Sequence, residues 1–414
     1  MRPALRKNTP GGSALGGLPR RAAACLAIAL VCVELFAMVC QPLALPLSTL
    51  LKETWPSYKR DFVTKDGQVL DYDGRGRHDR DSSGHQRTTS EGQSYAMLRA
   101  VWMGDRREFQ LLWSWTQRHL QVRSDHLFAW LATRDSDGPW HLEGTSAASD
   151  ADEDIALALI FAGHRWRSPA YLSAARLVLA GIWQSEVTTL GGRHILTAGD
   201  WAPADQTRVV VNPSYFAPYA YRVFAGEDRA HPWAELVGTS YAALDRCTRA
   251  SLGESRSSGL PPNWCVLNRR TGAAHPFAAR AATDYGYDAF RVMWRVGLDR
   301  LWFGSQDARR YLFSSGYLRE QWSRQGWLAA QYRHDGATAD GGWEDPTIYG
   351  GDIGNFMATD PNAAASVLQN KLVNSFRRDG GAAYWGDRWS YYQQNWVWFG
   401  VAMASGHLPN LAES

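Results

Sequence analysis

The sequence predicts an all-α fold, one helical domain behind a separate N-terminal segment. From about residue 48 onward, apolar residues recur three and four apart on segment after segment, the spacing of one helix face. Strand-like alternation is confined to short pieces such as Arg208–Val211. Of the 414 residues, 45% are apolar and 21% charged, which allows one large core and excludes wholesale disorder.

At the N-terminus, an apolar run from Ala22 to Cys40, blemished by Glu34, follows Arg2, Arg6, Lys7, Arg20 and Arg21. Residues 1–45 therefore read as an export signal or an N-terminal membrane anchor. They stand apart from a body of residues 46–414. This predicts a periplasmic or secreted protein, with residues 22–40 as the inner-membrane anchor where the segment is retained. The segment carries a net charge of +4, and since the whole chain is +3, the body is −1. A near-neutral body excludes nucleic acid as the partner, because binding it takes a basic face. Three of the five cysteines lie in the segment. Cys247 and Cys265 remain, either as one disulfide closing a short loop or as two free thiols. No C-x-x-C spacing supports a zinc site.

In the body, Phe109, Leu112, Trp113 and Thr116 share a helix face. So do Ile155, Leu159, Ala162 and Trp166, and then Tyr171, Ala175, Val178 and Ile182. Further helices are expected near 215–225, 232–247, 286–297, 306–322, 360–376 and 388–404. About eleven or twelve helices in successive antiparallel pairs result. Loop 71–87 is polar and Gly-rich, and the Gly- and Asp-rich stretch 335–360 fits no element in this reading. Twenty Trp, 17 Tyr and 14 Phe exceed what a core needs. Flat aromatic faces beyond the core point to a ligand with flat apolar faces of its own, sugars first.

Three helix starts carry acids. In Thr88-Thr89-Ser90-Glu91-Gly92-Gln93, Ser90 and Gln93 have capping-box spacing, which puts Glu91 in the first turn. Asp150, Asp152, Glu153 and Asp154 precede an apolar helix over 155–162, and Asp288 leads into Val292, Met293 and Trp294. Acids at helix N-termini commonly do no more than complement the helix dipole, and Asp284 reads as such a cap for the third helix. The 150–154 run is no calcium loop, because Ile155 and Phe161 stand where that loop needs Gly and Glu. Small or aromatic neighbours of Glu91, Asp150 and Asp288 leave room for a bulky ligand. Arg291, three residues after Asp288, would hold that acid ionised. Glu91 in an apolar, aromatic setting would keep its proton. One protonated and one ionised carboxyl is the requirement for hydrolysing an acetal.

The segments Thr89-Ser90-Glu91-Gly92-Gln93-Ser94-Tyr95, Ser149-Asp150-Ala151-Asp152, Asn212-Pro213-Ser214-Tyr215 and Tyr287-Asp288-Ala289-Phe290-Arg291 resemble, in order and spacing, the signatures of glycoside hydrolase family 8. The likeness is strong over about 50–300 and loose over 300–404. It is greatest to the periplasmic endoglucanases associated with bacterial cellulose synthesis. The resemblance implies an (α/α)6 barrel of six inner and six outer helices. It implies endo-acting, inverting hydrolysis of β-1,4-glucan with no cofactor and no metal, and a cellulose synthase complex as a partner. By the same resemblance, Glu91 is the general acid, Asp288 the general base, and Asp150 the sugar-binding acid at the cleavage point. Tyr215 lies near the attacking water, Trp130 is a stacking platform, and Arg291 and Asp152 join the substrate-binding group.

Other readings of the same residues are a xylanase, chitosanase or mixed-linkage glucanase on this scaffold, or a non-catalytic glucan-binding assembly protein. The last would lack a catalytic acid, and all three are present. A polysaccharide lyase would want a Tyr/His or Lys base cluster, which the sequence does not offer.

Overall fold

The computed structural model describes residues 46–71, 85–135, 138–203, 205–277, 280–339 and 341–413. The N-terminal segment 1–45 and most of loop 71–87 lie outside these, so the expected signal or anchor lies outside the described residues. Among the described residues, no helix is long and apolar enough to cross a membrane.

The helical periodicity is realised as thirteen α-helices among the described residues. They are α1 (Leu47–Phe62), α2 (Ser90–Met103), α3 (Arg106–His119), α4 (Ser149–Arg165), α5 (Pro169–Ser185), α6 (Pro218–Glu227) and α7 (Trp233–Arg249). After these come α8 (Arg291–Phe303), α9 (Gln306–Ser314), α10 (Tyr317–Gln325), α11 (Pro346–Thr359), α12 (Pro361–Val367) and α13 (Tyr391–Ala404). Helices α2, α4, α6, α8, α11 and α13 each touch the next, and α13 touches α2, which closes an inner ring. Most of them are buried nearly all round, so their sequences are apolar or small on every face. The intervening helices α3, α5, α7 and α9 bury one stripe and expose the rest, the pattern of an outer layer. This is the (α/α)6 barrel.

Two differences from the sequence reading have physical causes. The expected helix over 306–322 is two helices, broken at Ser315 and Gly316. The unassigned stretch 335–360 contains an inner helix, α11. Its glycines are there for contact: a Cβ on Gly350 would stand 2.2 Å from the Trp396 carbonyl oxygen of α13, and one on Gly400 would stand 2.6 Å from the Gly350 Cα. Backbone meets backbone where these helices cross. Gly350→Ala is therefore expected to cost about 3 kcal/mol or more, since the obstacle is main chain and cannot rotate away. Thermal or urea unfolding checks this.

The strands are short and fill the loops at one end of the barrel. Strands β1 (His85–Thr89), β2 (Leu131–Asp135) and β3 (His141–Leu142) form one antiparallel sheet, with Thr89 opposite Leu131. Strands β4 (Val187–Leu190) and β5 (Arg193–Leu196) form a hairpin. Strands β6 (Arg208–Val211), β7 (Cys265–Asn268) and β8 (Ala274–Pro276) form a third sheet, with Val211 opposite Cys265. Strands β9 (Phe376–Asp379) and β10 (Ala382–Trp385) form a second hairpin. Cys247 of α7 and Cys265 of β7 are joined as a disulfide, Cα to Cα 6.1 Å, so the disulfide alternative is the one the fold adopts.

Inside the ring sits a polar axis. Arg295 pairs with Asp154 at 2.8 Å, one helical turn below the pair of Arg291 with Asp150 at 3.0 Å. On α11, Asp352 is buried and accepts a hydrogen bond from the Tyr285 hydroxyl, and burial lifts its pKa to about 8. Folded Asp352 thus holds a proton that the unfolded chain releases above about pH 4. Its contribution is complete below that pH and is lost as pH rises toward 8. The melting temperature is expected to fall between pH 5 and 8, and Asp352→Asn should flatten that fall.

Candidate active site

The three acid-bearing segments meet at one guanidinium. Thr89, not Ser90, is the N-cap of α2, its side chain accepting the Gly92 N–H. Gln93 is drawn away from capping: its oxygen accepts the Val69 N–H and its nitrogen donates to Thr116 Oγ1 at 2.7 Å. Glu91 still falls in the first turn, as expected. Helix α4 begins at Ser149, earlier than the apolar run suggested, so Asp150 also lies in a first turn. Asp288 stands in the turn just before α8, whose first residue is Arg291. Asp284 does not cap that helix; it lies several residues upstream, where its carbonyl accepts the Asn263 N–H.

Arg291 is only 1% exposed. Its Nη1 donates to Glu91 Oε2 at 2.8 Å, to Asp150 Oδ2 at 3.0 Å and to the Tyr95 hydroxyl at 3.1 Å. Its Nη2 donates to Asp288 Oδ1 at 2.5 Å, and its Nε to Ser214 Oγ at 3.1 Å. The Tyr215 ring lies 5.3 Å from the guanidinium carbon, a cation–π contact. The remaining oxygen of Glu91 accepts the Tyr391 hydroxyl at 2.5 Å, and that of Asp288 accepts the Trp264 indole N–H at 3.1 Å. Glu91, Asp150, Asp288, Arg291 and Tyr215 are thus brought together from α2, α4, α8 and the turn at Pro213–Tyr215.

Three carboxyls share one cation, so full ionisation would leave unbalanced negative charge in a desolvated site. Burial, opposed by Arg291 and reinforced by Asp150, lifts the Glu91 pKa to about 7. Burial also raises Asp288, with Arg291 pulling the other way and Asp150 adding to the rise. Arg291 itself is held firmly charged. Glu91 and Asp288 remain open to the cleft, their side chains 25% and 32% exposed. They line a cleft of about 670 Å³ together with Tyr287, Trp343, Asp345 and Tyr391.

Trp130 is 39% exposed, and its carbonyl accepts the Ser90 N–H beside Glu91. Its ring is therefore not a core side chain. Asp152, by contrast, is not brought to the cleft. It is fully buried, with Oδ1 accepting the Phe128 N–H and its carboxyl against Glu186. Two adjacent buried acids must share a proton, and burial raises both. Asp152 belongs to the scaffold that seats the loop carrying Trp130, and this corrects the expectation of a sugar contact.

The sequence reading did not single out Tyr391, Ser214, Asn263 or Trp264, and it took Tyr95 only as an aromatic neighbour of Glu91. Tyr95 and Ser214 lie inside the recognised motifs. The others come from distant chain positions with no local spacing to mark them.

Residues 25–318 match the profile of glycosyl hydrolases family 8. The chain belongs to glycoside hydrolase family 8. Endoglucanase 2 of Ruminiclostridium josui is 32% identical over 271 residues, covering 64% of this chain and 53% of that protein. The chain spans about half the length of the curated relatives it matches first. Among solved structures, the endo-beta-1,4-glucanase CMCax from Acetobacter xylinum superposes with a TM-score of 0.65 at 20% identity, covering 87% of this chain and 98% of that one. The beta-1,3-1,4-glucanase from Paenibacillus sp. X4 superposes with a TM-score of 0.69 at 24% identity, covering 89% and 94%. At these identities the superpositions establish the fold alone and leave the substrate to be argued.

Proposed function

We propose that this chain is an endo-acting hydrolase of β-1,4-glucan that inverts the anomeric carbon and serves bacterial cellulose biosynthesis. In this reading Glu91 protonates the glycosidic oxygen, and Asp288 removes a proton from a water on the opposite face of the sugar. Asp150 hydrogen-bonds the distorted sugar at the cleavage point. Arg291 orients the three acids, Tyr215 helps place the water, and Trp130 stacks on a glucose unit. Binding energy from such remote units is available to distort the central one.

The observation that carries the reading is the shared guanidinium. Glu91 and Asp288 occupy its two different terminal nitrogens. Their nearest oxygens are then no more than about 8 Å apart, by the fixed size of the planar fork. That ceiling admits both the roughly 6.5–9.5 Å of an inverting pair and the roughly 5–5.5 Å of a retaining one. The shared guanidinium therefore supports two carboxyls acting on one linkage, and the inverting outcome rests on the family resemblance. A pKa of about 7 on Glu91 supports the acid role, and the contacts of Asp288 with Arg291 and Trp264 support an ionised base.

NMR of the first product released from cellopentaose tests this: the α-anomer is expected, and the β-anomer would overturn it. Turnover of xylan, chitosan or mixed-linkage glucan above that of cellulose substrates would reassign the substrate. Trp130→Ala is expected to raise KM for oligosaccharides about tenfold with melting unchanged. Unchanged KM would remove Trp130 from the binding track. The cellulose synthase complex as partner, and a periplasmic site anchored by residues 22–40, belong to the same proposal. Support for them comes from the basic flank and apolar run of the N-terminal segment and from the family subgroup the motifs resemble.

A further inference from the structure

Helix α8 begins without a side-chain cap of its own. The turn before it, which carries Asp288, is held from outside by two adjacent residues at the entrance to β7. Asn263 Oδ1 accepts the N–H of Asp288 at 3.2 Å and that of Ala289 at 2.9 Å. Trp264 Nε1 donates to Asp288 Oδ2 at 3.1 Å, on the oxygen that Arg291 leaves free.

These two residues are themselves firmly placed. Their own N–H groups donate to the carbonyls of Asp284 at 2.8 Å and Ala282 at 2.7 Å. The Trp264 ring meets Tyr215 edge-on at 5.9 Å and lies 5.5 Å from Phe277. The next residue, Cys265, is tied to Cys247 of α7 and paired with Val211 of β6. A covalent bond and a sheet register therefore stand directly behind the two groups that touch Asp288.

We propose that Asn263 and Trp264 are positioning residues for Asp288, set in place by the Cys247–Cys265 disulfide. Asn263 fixes the main chain of Asp288, and Trp264 fixes the rotation of its carboxylate. Arg291 then holds one oxygen while the indole holds the other. The inference rests on Asp288 being the base.

The groups facing Asp288 are Arg291 of its own segment, Asp150 from α4, Glu91 from α2, and the hydroxyls of Tyr215 and of Tyr392 from α13. Arg291 is the one cation among them. The indole N–H thus joins Arg291 and the Asn212 side chain in favouring the ionised acid, against the Asp150 carboxylate that disfavours it.

Trp264→Phe keeps the ring and removes the N–H. The experiment is kcat/KM against pH on cello-oligosaccharides for the whole chain, with KM and melting temperature alongside. The acid limb is expected to move up by about one pH unit, a tenfold loss on that side, with the alkaline limb, KM and melting unchanged. A merely structural tryptophan would lower melting or raise KM and leave the limb in place, which overturns the proposal. Should Trp264→Phe fold poorly, Asn263→Ala is read the same way. A tenfold lower kcat at unchanged KM supports the proposal, and unchanged kcat overturns it. Asp288→Asn separates the two levels. If that variant stays active, the base reading has failed; if it is inactive while the Trp264→Phe limb does not move, this inference alone has failed.

Discussion

Glu91→Gln is expected to lower turnover of carboxymethylcellulose about 10³-fold, with oligosaccharide binding retained, because it removes the proton the leaving oxygen must receive. The change is close to isosteric. The single amide oxygen can still accept one of the two donors that now reach Glu91, the Tyr391 hydroxyl at 2.5 Å or Arg291 Nη1 at 2.8 Å. It also takes one of three carboxyls away from a single guanidinium, so the fold loses little. In the native chain, kcat/KM should fall tenfold per pH unit above about pH 7, where Glu91 gives up its proton. Stability follows the same group. Folded Glu91 binds a proton that unfolded Glu releases above about pH 4, so its contribution is lost as pH rises from there toward 7. The variant should therefore melt less pH-dependently than the native chain over that range. Asp288→Asn should be equally inactive, through loss of the base. Near-native turnover by Glu91→Gln would remove it from the acid role.

The sequence made the outer helices legible and hid part of the inner ring, for one reason. An outer helix has a wet face and a dry face, so its periodicity shows, as Phe109, Leu112, Trp113 and Thr116 of α3 illustrate. An inner helix is dry all round and selects for size. Helix α11 carries Gly350, Gly351 and Gly354 because neighbouring backbones press against it, and those glycines imitate a loop. The site divides in the same way. Glu91, Asp150 and Asp288 were visible because each stands in or just before the first turn of a helix within a recognisable motif. Asp152 sits in the same motif as Asp150, but it lies on a different side of α4 and is buried against Phe128 and Glu186. Adjacency in sequence could not separate the two, since a helix turns 100° per residue. Asn263 and Trp264 reach Asp288 from a segment held by main-chain bonds to Asp284 and Ala282, by the Cys247–Cys265 disulfide and by the pairing of β6 with β7, contacts with no local trace in the sequence.

Arg291→Met should be the most damaging single change in the site, for charge rather than volume. It leaves Glu91, Asp150 and Asp288 facing one another with no cation, and breaking a buried ionic set in this way costs about 3–5 kcal/mol. The carboxyls can relieve the strain only by binding protons. The folded pKa values of Glu91 and Asp288 then rise further above the unfolded ones, so the folded state holds more protons than the unfolded chain between about pH 4 and 8. The variant should consequently lose stability faster than the native chain as pH rises, and activity should disappear because Asp288 no longer ionises. Arg291→Lys should restore part of the stability and little activity, because an ammonium cannot span both carboxylate positions as the fork does. Arg295→Met is the control. It removes an equally buried guanidinium one turn along α8, bonded to Asp154 and Tyr219 and away from the cleft acids. It should cost comparable stability while leaving both limbs of the pH–rate profile in place. If the two variants shifted those limbs alike, the axis of the barrel would be acting as one electrostatic unit, and the special position assigned to Arg291 would fall.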